Sequence, residues 1–329
     1  MSNKCIIKSI AQVSCQQPLS DEWLTSPILY DESYAAAIEP NFKEFINPIE
    51  ARRLGRVLKR ALCTSLSALR QAGLNNPDAI ITGTGMGCLE NSEKFLLQLA
   101  QLGESCLKPT LFMQSTHNTI SSLIGINIKC HGYNNTYSQK ACSFESALLD
   151  AWLQLKAGAI KSVLVGSHDE VTPLFAKILK RNSPDFKLVS ETSVASVLVA
   201  EESAQPNQIE VENVNILYRP LREELIRHIT EPAVVMLGLN GNESNDRHYC
   251  ELLGKVSGNP IMLHYKPIFG DNFSASAIGF YAATRLLQTG KIPEFMYHSK
   301  PAGNVIPSEI TLINHYEGNT WSLIKLKKH

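Results

Sequence analysis

Short β-branched runs alternate with helical periods along this chain, and the alternation constrains its fold more than any other feature. DAIITG runs into a glycine-bearing turn and then the helical stretch CLENSEKFLLQL. ACSFESALLDAWLQLKAG places Phe144, Leu148, Ala151, Trp152 and Ala157 at helical intervals, and KSVLVGSHDE follows as a buried strand. The theme returns in PAVVMLGLNGN, a helix over 246–255, PIMLHYKPIFGDN and a helix over 274–290. A strand pair, EITLINHYEGNTWSLIKLKK, closes the sequence. Strands and helices alternating in two comparable stretches predict a layered α/β fold with parallel strands. The polar, proline-containing residues 201–208 read as the join, dividing the chain into 1–200 and 201–329.

At 329 residues and 44% hydrophobic, the chain can bury one large core or two fused ones. Lys plus Arg and Asp plus Glu number 31 each, so no net charge draws the molecule to nucleic acid or to an anionic membrane. Residues 1–17 lack the layout of a secretory signal, and no apolar run approaches the roughly 20 residues of a membrane span. A cytoplasmic location is expected. The eight cysteines stand singly, with no C-x-x-C pair and no zinc spacing, and read as free thiols. The nine histidines are scattered, and no metal or other cofactor is expected.

Residues 48–73 carry Leu54, Val57, Leu58, Leu62, Leu66 and Leu69 at a helical period closed by Gly73, predicting a single helix. Its other face is basic. Arg52, Arg56 and Arg60 follow i, i+4 spacing, and with Arg53 and Lys59 they form either a solvated face or a docking face for an acidic partner. The GTGMG run at 83–87 has neither the spacing of a dinucleotide fingerprint nor a following P-loop lysine, so it is not read as a phosphate cradle.

Several of these segments resemble the β-ketoacyl-acyl-carrier-protein synthases and their non-catalytic relatives, the chain length factors, over most of the chain. The helix with Arg52 and Arg53 ending in ALRQAGL is similar to the family's early Arg-Arg helix, and GTGMGCLE to its glycine-rich turn. Asn118 stands 14 residues before Gly132, an interval the family also shows ahead of its nucleophile. The resemblance implies a thiolase-like layered α/β/α/β/α fold built from two similar halves.

It also locates the family's chemistry. Nine residues beyond Gly132, where the family has its catalytic cysteine, stands Ala141, and Gly158 closes the helix 17 residues later, as in the family. Cys142 comes one residue late. The family's first histidine is matched by Asn240, its lysine by Lys266 and its second histidine by Asp271. Its C-terminal Asn-Ser-Phe-Gly-Phe-Gly-Gly loop is shortened here to INHYEGNT at 313–320, without a gating phenylalanine.

A condensing enzyme needs a thiolate at a helix N-terminus, where the helix dipole and free N–H groups lower the thiol pKa. Alanine cannot supply one. One helical step turns a side chain by about 100°, which should point Cys142 away from the pocket. Decarboxylation relies on histidine donors to the developing enolate, and losing one oxyanion donor lowers the rate by about 10²–10³. An ionised Asp271 would repel the enolate, and Lys266 is expected to pair with it instead. The resemblance therefore implies a transferase-like chain inactive on its own, a chain-length-factor-like subunit. It would pair with a catalytic ketosynthase, or with itself, and possess a surface for acyl carrier protein. The family's dimer-crossing segment corresponds to NTYSQKA, which puts Gln139 and Lys140 next to the partner's tunnel. Two alternatives stay open: an active synthase or acyltransferase using Cys142 with His117 or His315 as donors, and a scaffold or acyl-binding protein with no ketosynthase partner.

Overall fold

The computed structural model describes residues 3–182, 187–229, 234–256, 258, 260–299 and 305–329. Twelve strands are described: β1 (Lys4–Val13), β2 (Tyr34–Ala35), β3 (Ala79–Gly83), β4 (Tyr133–Tyr137), β5 (Ser162–Asp169), β6 (Val189–Ser190), β7 (Thr192–Glu201), β8 (Ile209–Tyr218), β9 (Val234–Leu237), β10 (Ile261–His264), β11 (Glu309–Tyr316) and β12 (Thr320–Lys328). Strands β2 and β6 form a small parallel pair, and the other ten make one sheet in the order β10-β9-β11-β12-β8-β1-β7-β5-β3-β4.

The sheet is one topology written twice. From β1 outward through β7, β5, β3 and β4 the neighbours pair antiparallel, antiparallel, parallel and parallel. From β8 outward through β12, β11, β9 and β10 the same sequence recurs. The two sets meet at Ile6 against Glu210 and Ile7 against Ile209. Chain alternation alone predicted parallel strands; the antiparallel pairs are those that bring the first and last strands of each set side by side, β1 with β7 and β8 with β12, and those that join the last strand to its other neighbour, β5 with β7 and β11 with β12.

Three helical layers bury the apolar faces. The Ser143–Lys156 and Ser276–Thr289 helices share a core with strands of both sets, through Phe144, Leu148 and Leu155 from one and Phe280, Ala283 and Leu287 from the other. Eleven of the fourteen residues of Ser276–Thr289 are buried, as a helix enclosed on all sides requires. The Arg56–Ala72 helix covers the outer face of the first set through Val57, Leu58, Leu62 and Leu69. Leu252, Leu253 and Tyr249 of the Glu243–Leu253 helix cover the outer face of the second. The result is the expected α/β/α/β/α layering.

Boundaries shift where local chemistry outweighs periodicity. The helix predicted over 48–73 is interrupted: Pro48–Ala51 forms one turn, the chain bends through 52–55, and Gly55 in an extended conformation starts Arg56–Ala72. Gly73 ends it in the left-handed region at φ 66°. The helix predicted to begin at 246 starts at Glu243 because Asn242 caps it, its side-chain oxygen accepting from the Asn245 N–H. Residues 232 and 233 of the PAVVMLGLNGN stretch lie outside the described residues. Among the described residues no helix is long and apolar enough to cross a membrane.

Candidate functional site

Strands β3 and β5 run parallel and end together, and the turns leaving them build one side of a cavity. Asp169, at the end of β5, accepts hydrogen bonds from Thr84 Oγ1 at 2.8 Å, from the Gly85 and Met86 N–H groups at 3.0 and 3.1 Å, and from Ser274 Oγ. The glycine-rich turn therefore wraps a carboxyl group of its own chain, in place of an external phosphate. Ala141 lies in the Lys140–Cys142 turn that feeds the Ser143–Lys156 helix. Lys140 is held in the left-handed region at φ 52°, an uncommon conformation for a residue with a Cβ.

The second set of strands supplies the facing side. Lys266 follows β10 and opens the Lys266–Phe269 turn; Gly270, at φ 76°, lets the chain reverse so that Asp271 comes back over it. Lys266 Nζ then lies 2.9 Å from Asp271 Oδ1, the pairing expected from sequence. Asn240, beyond β9, donates from Nδ2 to Asp271 Oδ2 at 2.9 Å. Its own Oδ1 accepts from the Asn242 N–H at 3.0 Å and from Asn245 Nδ2 at 3.2 Å, which fixes the amide orientation. Both Asp271 oxygens are thus engaged.

The cavity between the two sides has a volume of about 560 Å³. Ala141, Asn240, Lys266 and Asp271, from three separate stretches of the sequence, all line it, together with Met86, Glu170, Phe273 and Tyr316. Cys142 does not line it. Its thiol is pushed up to about 12, first by burial and then by the nearby Glu145 carboxyl, so it holds essentially no thiolate at neutral pH. His117, the first suggested alternative donor, is exposed and not part of the lining; His315 is part of it. The His315 ring is tied to the Asn245 carbonyl through Nε2 at 2.9 Å and accepts from the Gly318 N–H through Nδ1 at 3.1 Å. Burial takes its pKa down to about 4, leaving it neutral.

The closing strand pair read from the sequence forms a tight hairpin at the shortened INHYEGNT segment. Tyr316 pairs with Thr320 across residues 317–319, and Glu317 and Gly318 both adopt positive φ. The Tyr316 hydroxyl lies 3.4 Å from Lys140 Nζ, which also faces its ring. Gln139 and Lys140 are exposed, beyond the end of edge strand β4, and the Gln139 N–H donates to Ser143 Oγ at 2.9 Å.

The structure corrects the sequence reading at Arg60, which leaves the basic face for the interior. Arg60 is 1% exposed and binds Glu39 at 2.6 Å and Glu191 at 3.1 Å. Arg56 is held by Glu90 at 3.2 Å, and Lys59 lies over the Phe42 ring. Arg52 and Arg53 are exposed but lie in the bend ahead of the helix. The break at 52–55 takes Arg52 out of the i, i+4 register, while Arg56 and Arg60 keep it within the Arg56–Ala72 helix. Cys5, Cys15, Cys63, Cys88, Cys130, Cys142 and Cys250 are free thiols, while the side chain of Cys106 lies outside the described residues. Sequence reasoning passed over Asp169 and Glu170, although carboxyl groups at the C-terminal ends of parallel strands are a usual place for sites in α/β folds.

The family described as "Beta-ketoacyl synthase, N-terminal domain" matches residues 22–222. The chain belongs to the β-ketoacyl synthase family. Its fold matches the ishigamide ketosynthase/chain length factor with a TM-score of 0.82 at 15% identity, over 100% of both chains. The Xenorhabdus doucetiae ketosynthase ApeO in complex with its chain length factor ApeC gives 0.81 at 14%, over 99% of this chain and 98% of that one. A type II polyketide synthase complex, AntDE:AntF, in which an acyl-carrier protein accompanies a ketosynthase bound to a hexaketide, gives 0.80 at 13%, over 100% of both chains. No curated protein matches the sequence. The family's thiolase-like fold is therefore present in full, and its two halves meet around the cavity.

Proposed function

We propose that this protein is a non-catalytic, chain-length-factor-like subunit of the β-ketoacyl synthase family, made of halves 1–200 and 201–329. It pairs in the cytoplasm with a catalytic ketosynthase in fatty-acid, polyketide or aryl-polyene assembly. One observation carries the reading: the cavity holds the Ala141 methyl where the family's thiolate is expected, beside a closed Lys266–Asp271–Asn240 network. Asp271 already accepts from both neighbours, so this group offers a developing enolate a carboxylate instead of two histidine N–H donors.

The pairing partner is supported by the surface. Strand β4 has a sheet neighbour on one side only, β3, and exposes Tyr133, leaving backbone groups free to meet another chain. Gln139 and Lys140 follow directly and would lie beside the partner's acyl tunnel. Similar folds occur in complexes of a ketosynthase with a chain length factor and with acyl carrier protein.

The test is intact-mass spectrometry of the protein, alone and co-expressed with an intact ketosynthase, after exposure to acyl carrier protein thioesters or cerulenin. A stable heteromer with adducts confined to the ketosynthase supports the proposal. An adduct mapped to Cys142 makes the protein an enzyme with a displaced nucleophile, and absence of any heteromer leaves a self-associating scaffold.

A further inference from the structure

The free edge of β4 is fringed by large apolar side chains on both faces of the sheet. On one face the Thr119–Ile128 helix leaves Ile126 75% exposed; on the other the Ser143–Lys156 helix leaves Leu153 51% exposed, and Tyr133 of the strand itself is 44% exposed. Such side chains around an unpaired sheet edge mark a surface that another chain covers.

The polar groups at this edge decide which chain fits. Tyr133 and Tyr137 lean towards the Ser143–Lys156 helix, and both hydroxyls donate to Asp150 Oδ2 at 3.1 Å. Gln154 Nε2 donates to Asp150 Oδ1 at 2.8 Å, and Asn135 Nδ2 donates to the Tyr133 hydroxyl at 3.1 Å. The donors around Asp150 are therefore all neutral, and among the described residues no cation pairs with it. Burial and then the Asp150 charge push the Tyr137 hydroxyl up to about 12, so that hydroxyl stays protonated.

Because both hydroxyls reach it, Asp150 lies beside the middle of the strand, level with Asn135. A second copy pairing antiparallel over all five residues of β4 would set the two-fold axis through that middle, perpendicular to the sheet, where each residue meets its own counterpart. Asp150 would then face the copy's Asp150 on the same side of the sheet. Residues 133–137 contain no lysine or arginine to come between them. Like charges brought together in an interface oppose association.

We propose that the Tyr133–Asp150–Tyr137 cluster selects the partner of the β4 edge: it disfavours a second copy of this chain and takes a chain of the same fold that carries an arginine or lysine where this one has Asp150. The inference rests on the reading that the protein pairs through β4, and it goes further by naming the cation that the partner must bring. That cation would pair with the carboxylate beside two tyrosine rings.

A charge swap in the full chain tests this by sedimentation equilibrium. Asp150→Lys supplies the missing cation, so a one-to-one mixture of parent and Asp150→Lys chains should associate at least about tenfold more tightly than either chain alone. Leu153→Ser in both chains should weaken the mixed dimer, which locates the contact at this edge. Parent chains that self-associate as tightly as the mixture, a mixture no tighter than its components, or a mixed dimer indifferent to Leu153→Ser overturns the proposal. If Asp150→Lys fails to fold, Asp150→Asn decides: it keeps an acceptor for the tyrosines and loses the charge, so it should self-associate more tightly than the parent, and equality overturns the proposal. No ketosynthase enters these mixtures, so their failure leaves the subunit reading standing, while failure of that reading shows separately as a missing heteromer in the mass measurement.

Discussion

Arg60 and Glu191 form an ion pair at 3.1 Å in which 1% and 0% of the two side chains are exposed. The same Glu191 also accepts from the Ala37 N–H at 2.9 Å and the Val171 N–H at 3.3 Å, so it ties the 37–39 segment and the cavity wall to the Arg56–Ala72 helix. Removing one member of a buried pair strands the other charge without its partner. Arg60→Met is expected to destabilise the fold by about 3–5 kcal/mol, read as a lower urea midpoint. Lysine should not rescue it, because one ammonium cannot reproduce the planar fork that serves Glu39 and Glu191 together. Alanine at exposed Arg52 and Arg53 should change stability by no more than about 0.5 kcal/mol. A comparable loss at all three positions would show that Arg60 is not the anchor.

The nucleophile's position gives a chemical prediction. Ala141→Cys places a thiol on the cavity wall, whereas Cys142 stays among packed groups with its pKa pushed up to about 12. Against an ordinary thiol near 8.5, that difference lowers the thiolate fraction at pH 7.5 on the order of 10³-fold. Time-resolved iodoacetamide labelling with peptide mapping should find exposed Cys250 modified first in the parent protein and Cys142 unmodified. The variant should gain a second adduct at residue 141. Rapid modification of Cys142 in the parent protein would return it to candidacy as a nucleophile.

The difference between Ala141 and Cys142 was legible because ungapped spacing to Gly132 and Gly158 fixes the register on both sides. Lys266 and Asp271 were legible for a related reason: a pair separated by one short turn can meet by local geometry alone, and they do at 2.9 Å. The fate of the basic run was hidden. Arg60 has the same i, i+4 spacing as a solvated arginine, and only the distant Glu39 and Glu191 reveal that it is buried. Asp169 and Glu170 were hidden for the same reason, since SHDE does not disclose that one carboxyl fills the glycine-rich turn while the other borders the cavity. Layering followed from the alternation of elements, but the twofold repeat of strand order depended on pairings between β1, β7, β8 and β12 that no local pattern encodes.

Gly83 lies where the last residue of β3 touches the start of the Ser143–Lys156 helix. A Cβ there would stand 2.6 Å from the Ser143 carbonyl and 2.7 Å from the Phe144 nitrogen, both backbone atoms with no rotamer to change. Gly83→Ala should therefore displace the helix that carries the Ala141 turn and destabilise the fold by about 1–3 kcal/mol or more. Gly73→Ala is the control: a Cβ meets nothing within 4 Å, and the penalty is that of the left-handed conformation at φ 66°, about 1 kcal/mol. Heteromer assays should register the Gly83 change and not the Gly73 change. Equal effects in those assays would mean that the contact does not position the turn.

Glu145, on the helix that follows Ala141, gives a pH signature. It is 0% exposed, and burial raises its pKa from 4.5 to about 7; the Ser322 hydroxyl, donating to Oε1 at 3.0 Å, and the Lys266 charge offset part of the rise. Between pH 4.5 and 7 the folded protein retains a proton that the unfolded chain has released. Its stability contribution is therefore complete below about 4.5, declines as pH rises through that window and is flat above it. The full decline is on the order of 3 kcal/mol. Glu170, also raised to about 7 by burial, adds a slope of the same sign, so the parent protein should lose stability from pH 5 to 8. Glu145→Gln cannot ionise and keeps an acceptor for Ser322. It should gain over the parent at pH 8 and match it at pH 5, measured as urea midpoints at both values. A constant difference across the two conditions would show that Glu145 does not titrate in this window and that its carboxyl is already charged when the chain folds.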